Sequence, residues 1–175
     1  MTTRSALIAW CSVLAATLPA CNSDPASPVP RTSLVAVNPQ GGATGVATTA
    51  VVTMQFDHPM ATGMAVYASM HEGDATGPLV PCTATWSADS MTLTMKPASP
   101  LHSGTHYTIH IGGGMRDASG DPIDMSEHGP MMGGDWADGA MMTGGGTMNG
   151  QHDEMGPGWQ GPNGVYGMTF TFTTS

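Results

Sequence analysis

From Leu34 onward, apolar residues recur at every second position in short runs separated by Gly, Pro, Asn and Asp. A strand turns successive side chains to opposite faces, so this period marks half-buried β-structure. Seven runs carry it: Leu34–Val37, Ala50–Phe56, Met64–Met70, Val80–Trp86, Met91–Lys96, His106–Ile111 and Met168–Thr173. Within them Val52, Met54 and Phe56 share one face. So do Met91, Leu93 and Met95, then Tyr107, Ile109 and Ile111, and finally Met168, Phe170 and Phe172. Each set is expected to point inward, with its Thr-rich partner face to water. No long stretch has helical period, so the spacing predicts an all-β sandwich of about seven strands with Greek-key connections.

The amino terminus follows a different logic. Arg4 precedes an apolar run from Ala6 to Leu18 that Pro19 closes, and the small residue Ala20 stands just before Cys21. A run this short does not span a bilayer as an ordinary helix of roughly 20 residues, and the layout is that of a secretory signal peptide. Residues 1–20 are therefore set outside the fold. Leu18-Pro19-Ala20-Cys21 resembles the lipobox of bacterial lipoproteins, which implies Cys21 as the lipidated first residue of the mature chain. Ordinary cleavage near Ala20, leaving a soluble secreted protein, is the alternative. Under the lipoprotein reading, the lack of Asp directly after Cys21 implies sorting to the outer membrane of the cell envelope.

Residues 21–33 hold Pro25, Pro28 and Pro30 among small polar residues and read as a flexible, semi-extended linker. Residues 34–175 are the size of one domain with a real core. Cys11 leaves with the signal and Cys21 takes lipid, so Cys82 remains alone and the domain is expected to hold no disulfide. The chain has 4 basic and 13 acidic residues, with a formal net charge of −9, and no Lys or Arg follows Arg116. Phosphate contacts need a basic face, so nucleic acid is a poor partner; the expected state is a monomer held to the membrane by its lipid.

Several segments in order carry a likeness. They are Asn38-Pro39 with Gly41 and Gly45, Phe56-Asp57-His58-Pro59-Met60, Lys96-Pro97-Ala98-Ser99-Pro100-Leu101 with Gly104 and Tyr107, Asp117-Ala118-Ser119-Gly120-Asp121, and Phe170-Thr171-Phe172-Thr173-Thr174. Together they resemble the SbsA-type bacterial Ig-like domain over nearly all of residues 34–175 except one insertion. The resemblance implies an Ig-like β-sandwich serving as a structural or adhesive module, with no catalytic residues. A weaker likeness is to periplasmic copper-resistance proteins, small Ig-like sandwiches with Met-rich loops, whose mature amino-terminal His this sequence lacks. The physics of two motifs is visible. Pro97 and Pro100 keep a connection out of the ladder, and Asp117 to Asp121 is expected to form an Asx-type reversal.

The insertion, about residues 125–165, is longer than loops inside compact domains normally run. On a glycine-rich backbone it holds His128, Met131, Met132, Met141, Met142, Met148, His152 and Met155, with Asp135, Asp138, Asp153 and Glu154. Thioether sulfur suits Cu(I), while imidazole and carboxylate suit Cu(II) or Zn(II), so copper is the metal this inventory would take. His128 with Met131, and His152 with Met155, are spaced so that each pair reaches one ion if the chain turns locally. The opposed reading is a disordered, solubilising spacer in which Met has no ligand role, against which Trp136 and Trp159 argue mildly. A third is a reversible oxidant sink.

Other candidates have structural explanations. His106 and His110 share the outer face of one strand about 13 Å apart, too far to chelate one ion alone. His58, His71 and His102 read as surface histidines, and Cys82, in phase with Val80, Ala84 and Trp86, reads as an inert buried thiol. Asp117, Asp121 and Asp124 lack the helix-flanked calcium pattern. No Gly-x-Ser-x-Gly elbow, His-Glu-x-x-His helix or Cys-His pair with a base is present, and the chain is not expected to be an enzyme.

Overall fold

The computed structural model describes residues 32–75, 77–134, 136–137 and 167–175. They form two facing sheets. The first has the order β5-β6-β3-β1-β8, with β1 Thr32–Gly41, β3 Val52–Phe56, β5 Cys82–Trp86, β6 Thr92–Pro97 and β8 Ile123–Gly133. The second has the order β2-β10-β7-β4, with β2 Ala43–Val46, β4 Ala68–Glu72, β7 His106–Ile111 and β10 Met168–Thr174; β9, Trp136–Ala137, also pairs with β10.

Between the sheets lie Leu34, Val52, Met54, Phe56, Met70, Leu93, Met95, Tyr107, Ile109, Ile111, Met168, Phe170 and Phe172, all buried. They include the inward sets that the alternation predicts, all but Met91, which is only half-buried at the entry to β6, and add Leu34 and Met70. Tyr107 stacks on Phe172 with ring centroids 5.6 Å apart, and its hydroxyl accepts a hydrogen bond from the His102 amide at 2.8 Å. That bond lets a phenol sit 1% exposed without an orphaned polar group.

The structure departs from the sequence reading in three places. Met64–Tyr67 forms a 3-10 turn, and the strand expected from Met64 begins at Ala68. Gly63, in the left-handed region at φ 85°, starts that turn, and the Tyr67 carbonyl is taken by the Gly112 amide at 2.7 Å. Val66 is thereby left 56% exposed although the alternation would bury it. Second, β2, β8 and β9 are absent from the seven predicted runs. Third, the start of the supposed insertion is strand: β8 runs parallel to β1 and carries the chain from Ile123 to Gly133. Its ladder shifts register three times, so no simple alternation survives in the sequence to announce it. Gly129 makes this approach possible, because a Cβ there would run into the Val35 carbonyl oxygen.

Candidate functional site

At the corner where the chain enters the sandwich, β1 is tied down by two acidic turns. Thr32 donates its hydroxyl to Asp117 Oδ2 at 2.9 Å. The amides of Ser119 and Asp121 donate to Asp117 Oδ1 at 2.8 and 2.9 Å, which is the expected Asx-type reversal. Asp117 is only 5% exposed. Burial alone would push its pKa up, but the Asp121 amide, the Thr32 hydroxyl and the Ser119 and Gly120 amides together hold it below the usual carboxylate range. The carboxylate thus has its work inside the corner, accepting from the Thr32 hydroxyl and from two amides of its own turn. Beside it, Ser33 donates its amide to Asp57 Oδ1 at 2.8 Å and accepts from the Asp57 amide at 3.1 Å. The neighbouring His58 is exposed, and its Nδ1 lies 2.8 Å from Asp57 Oδ1, a contact that raises the imidazole pKa.

The histidines divide by environment. His102 is exposed and meets Glu72 at 3.1 Å, and His106 is exposed beside Thr173. His71 and His110 are buried, 1% and 2% exposed, against the surface reading of His71. Both do project from the outer face of the second sheet, as alternation requires. The segment Gly73–Val80 accounts for His71: His71 Nδ1 donates to the Gly77 carbonyl at 2.9 Å and Nε2 lies 3.1 Å from Ser69 Oγ. Thr108, opposite His71 in the ladder, donates its hydroxyl to the Gly73 carbonyl at 2.6 Å. Both ring nitrogens of His71 are therefore engaged by the protein itself. Sequence reasoning missed this polar layer because nothing local to His71 or Thr108 announces the covering segment.

Cys82 is a free, half-buried thiol whose pKa desolvation pushes up to about 11. Its thiolate, the form that ligates metal, is scarce at neutral pH, in keeping with the inert reading.

Of the residues proposed for metal, His128, Met131 and Met132 fall in β8, where the backbone of His128 pairs beside Leu34 and that of Met131 beside Ala36. Met141, Met142, Met148, His152 and Met155 lie outside the described residues, as does Cys21 with residues 1–31. Among the described residues no three His, Cys, Asp or Glu side chains gather as a metal site, and no helix is long and apolar enough to cross a membrane. β9 lies beside β10, with Ala137 paired to Thr169 and Trp136 to Phe170. A shallow cleft of about 190 Å³ is lined by Thr48, Thr49, Ala50 and Lys96 through Pro100, and Lys96 is the one charged side chain of that lining.

Among solved structures the chain is similar to domains 1–6 of the surface layer protein SbsC, with a TM-score of 0.40 at 15% identity over 54% of this chain and 12% of that one. It is also similar to PcoC, a methionine-rich copper resistance protein from Escherichia coli, with a TM-score of 0.48 at 13% identity over 83% and 100% of the two chains. A third is CopC from Methylosinus trichosporium OB3b, at 0.42 and 22% identity over 53% and 85%. These likenesses concern the fold alone. No curated protein matches the chain. The bacterial Ig-like domain family matches residues 29–128, more than half of the sequence. With that match, and with the two packed sheets that the period-two pattern builds, the chain belongs to the bacterial Ig-like domain family.

Proposed function

We propose that the chain is a non-enzymatic lipoprotein of the bacterial cell envelope, anchored through Cys21 to the outer membrane, in which the Ig-like sandwich is a structural or interaction module. The observation that carries this reading is the position of β1. The chain following the Pro-containing linker enters β1, which is paired on both sides, antiparallel to β3 and parallel to β8. A pull on the linker is therefore shared by two ladders and by the Thr32–Asp117 and Ser33–Asp57 ties at the corner. A strand at a sheet edge has one ladder to resist with; β1 has two.

The anchor is tested by Cys21→Ala in cells fed a labelled fatty acid. The expected result is complete loss of label and transfer of the protein from the membrane to the soluble fraction. Label retained on the variant, or membrane association unchanged, overturns the anchor.

A second reading is copper binding through the Met/His-rich insertion, favoured by the density of thioether and imidazole in residues 128–155. Its test is competition for Cu(I) against a chelator. Replacing Met131, Met132, Met141 and Met142 together by Leu keeps volume and removes sulfur, and it is expected to abolish uptake if these residues are ligands. Equal uptake by the parent and the variant leaves the insertion as a spacer or partner surface.

A further inference from the structure

Among the described residues five strands border the two sheets, β5 and β8 in the first and β4, β2 and the two-residue β9 in the second, and all but β5 are covered, short or irregular. The outer side of β4 is taken by the segment after it: Val80 donates to the Met70 carbonyl at 2.8 Å, Glu72 donates to Pro78 at 2.9 Å, and Leu79 bridges His71. β2 has four residues, and Gly45 in it has φ 67°. β8 contains Gly129 and Pro130 and keeps an irregular register. Short, kinked or proline-bearing edges are how β-proteins avoid adding a further strand.

The remaining border, β5, has none of these devices. Its five residues pair with β6 in unbroken register, from Cys82 opposite Pro97 to Trp86 opposite Leu93. No Gly, Pro or charge interrupts Cys82-Thr83-Ala84-Thr85-Trp86, and the uncharged stretch extends from Leu79 to Ala88. Among the described residues, no hydrogen bond beyond the β6 ladder reaches the β5 backbone. Of the two exposed large hydrophobic residues among the described ones, Val66, 56% exposed, lies in the 3-10 turn that packs beside β5.

We propose that β5 pairs with β5 of a second copy of this chain, antiparallel about a two-fold axis at Ala84, joining two five-stranded sheets into one. One observation selects a second copy over an unrelated strand: Thr83-Ala84-Thr85 reads the same in both directions. In this register Thr83 faces Thr85 of the partner copy twice, Ala84 faces itself, and Cys82 faces Trp86. Exposed Thr pairs across strands and sulfur beside an aromatic ring are favourable contacts. Two copies, each with a formal net charge of −9, repel overall, and an edge with no charged residue is where they meet without setting like charges against each other. Five rungs bury less than the roughly 1,200 Å² of a stable complex, so the association is weak and rises with local concentration.

The test uses the full chain, with its own amino-terminal segment, in cells and after mild detergent extraction. Ala84→Cys in a Cys82→Ser background is expected to form a disulfide-linked dimer on mild oxidation, since directly opposed residues lie about 4.5–5.5 Å apart at Cα. Thr83→Cys or Thr85→Cys alone, each diagonal to its own copy, are expected to cross-link poorly, and the two expressed together to cross-link well. In sedimentation velocity, the double variant Thr83→Lys with Thr85→Lys sets Lys against Lys twice and is expected to weaken dimerisation by roughly tenfold or more. Both positions are exposed, and an unchanged thermal transition verifies the fold. A chain that stays monomeric with no cross-link at position 84 overturns the proposal. So does a dimer indifferent to the double Lys variant, or one whose cross-linking ignores the register.

Discussion

Phe170→Ala is expected to lower stability by about 3–5 kcal/mol, the cost of emptying a buried phenyl site whose surroundings do not collapse. Phe170 is 0% exposed and sits in β10, which pairs with β7 along six consecutive rungs and on its other side with β2 and β9. Its neighbours cannot close in, because their positions are set by ladders on both sides of the strand. The backbone of Phe170 also ties together strands far apart in sequence, paired with Ile109 in β7 and with Trp136 in β9. A loss of this size is a large fraction of the stability of an ordinary domain. Chemical denaturation of parent and variant measures it directly. A midpoint shift equivalent to less than about 1 kcal/mol would mean that the second sheet packs more loosely than described. Phe170→Leu, which keeps most of the apolar volume, is expected to recover much of the loss.

Asp117→Ala acts at the corner instead of the core and is expected to cost about 3 kcal/mol. It removes acceptors from the Thr32 hydroxyl and from the Ser119 and Asp121 amides, and each bond to a charged carboxylate contributes on the order of 1 kcal/mol or more. Thr32 is 0% exposed, so its hydroxyl would be left buried without that partner. The same group fixes the sign of the pH dependence. Burial raises the Asp117 pKa, its hydrogen bonds outweigh burial, and the folded pKa lies below the unfolded one. The unfolded chain therefore binds the proton first as pH falls. The contribution is fully present above the ordinary Asp range, near pH 4, and is lost progressively as pH drops through that range towards the folded pKa. Parent and Asp117→Ala should consequently differ most at neutral pH and converge in acid. Thermal melts from pH 7 down to pH 2 read this out, and a gap that stays constant with pH would mean that the carboxylate charge is not what holds the corner.

What was legible in the sequence is what depends on the chain's own local geometry. The alternation of Tyr107, Ile109 and Ile111, or of Met168, Phe170 and Phe172, is imposed by the strand itself, which throws successive side chains to opposite faces. One sheet face had to be apolar, and the chain wrote it that way. The Asp117 turn was legible for the same reason, since an Asp two and four residues before the amides it captures needs no help from elsewhere. The lipobox-like Leu18 to Cys21 and the Met/His inventory are likewise readable, as composition and order rather than as geometry.

Tertiary structure decided what lies across each face and beside each edge. Thr108 and His110 alternate correctly onto the outer side of β7, yet both are buried, as is His71 on β4. Whether an outward residue meets water depends on a segment such as Gly73–Val80 that no period in β7 encodes. β8 is strand because β1 offers it a parallel ladder and Gly129 lets the two backbones touch, while its own Ser-Glu-His-Gly-Pro sequence has no strand pattern. Val66 stands in phase with the buried Met70 and was turned out by a left-handed glycine and by the Tyr67 carbonyl, which the Gly112 amide captures. Side-chain direction is a property of one strand and can be read from it; burial and pairing are properties of two segments at once, and the second segment is chosen only when the sheets close.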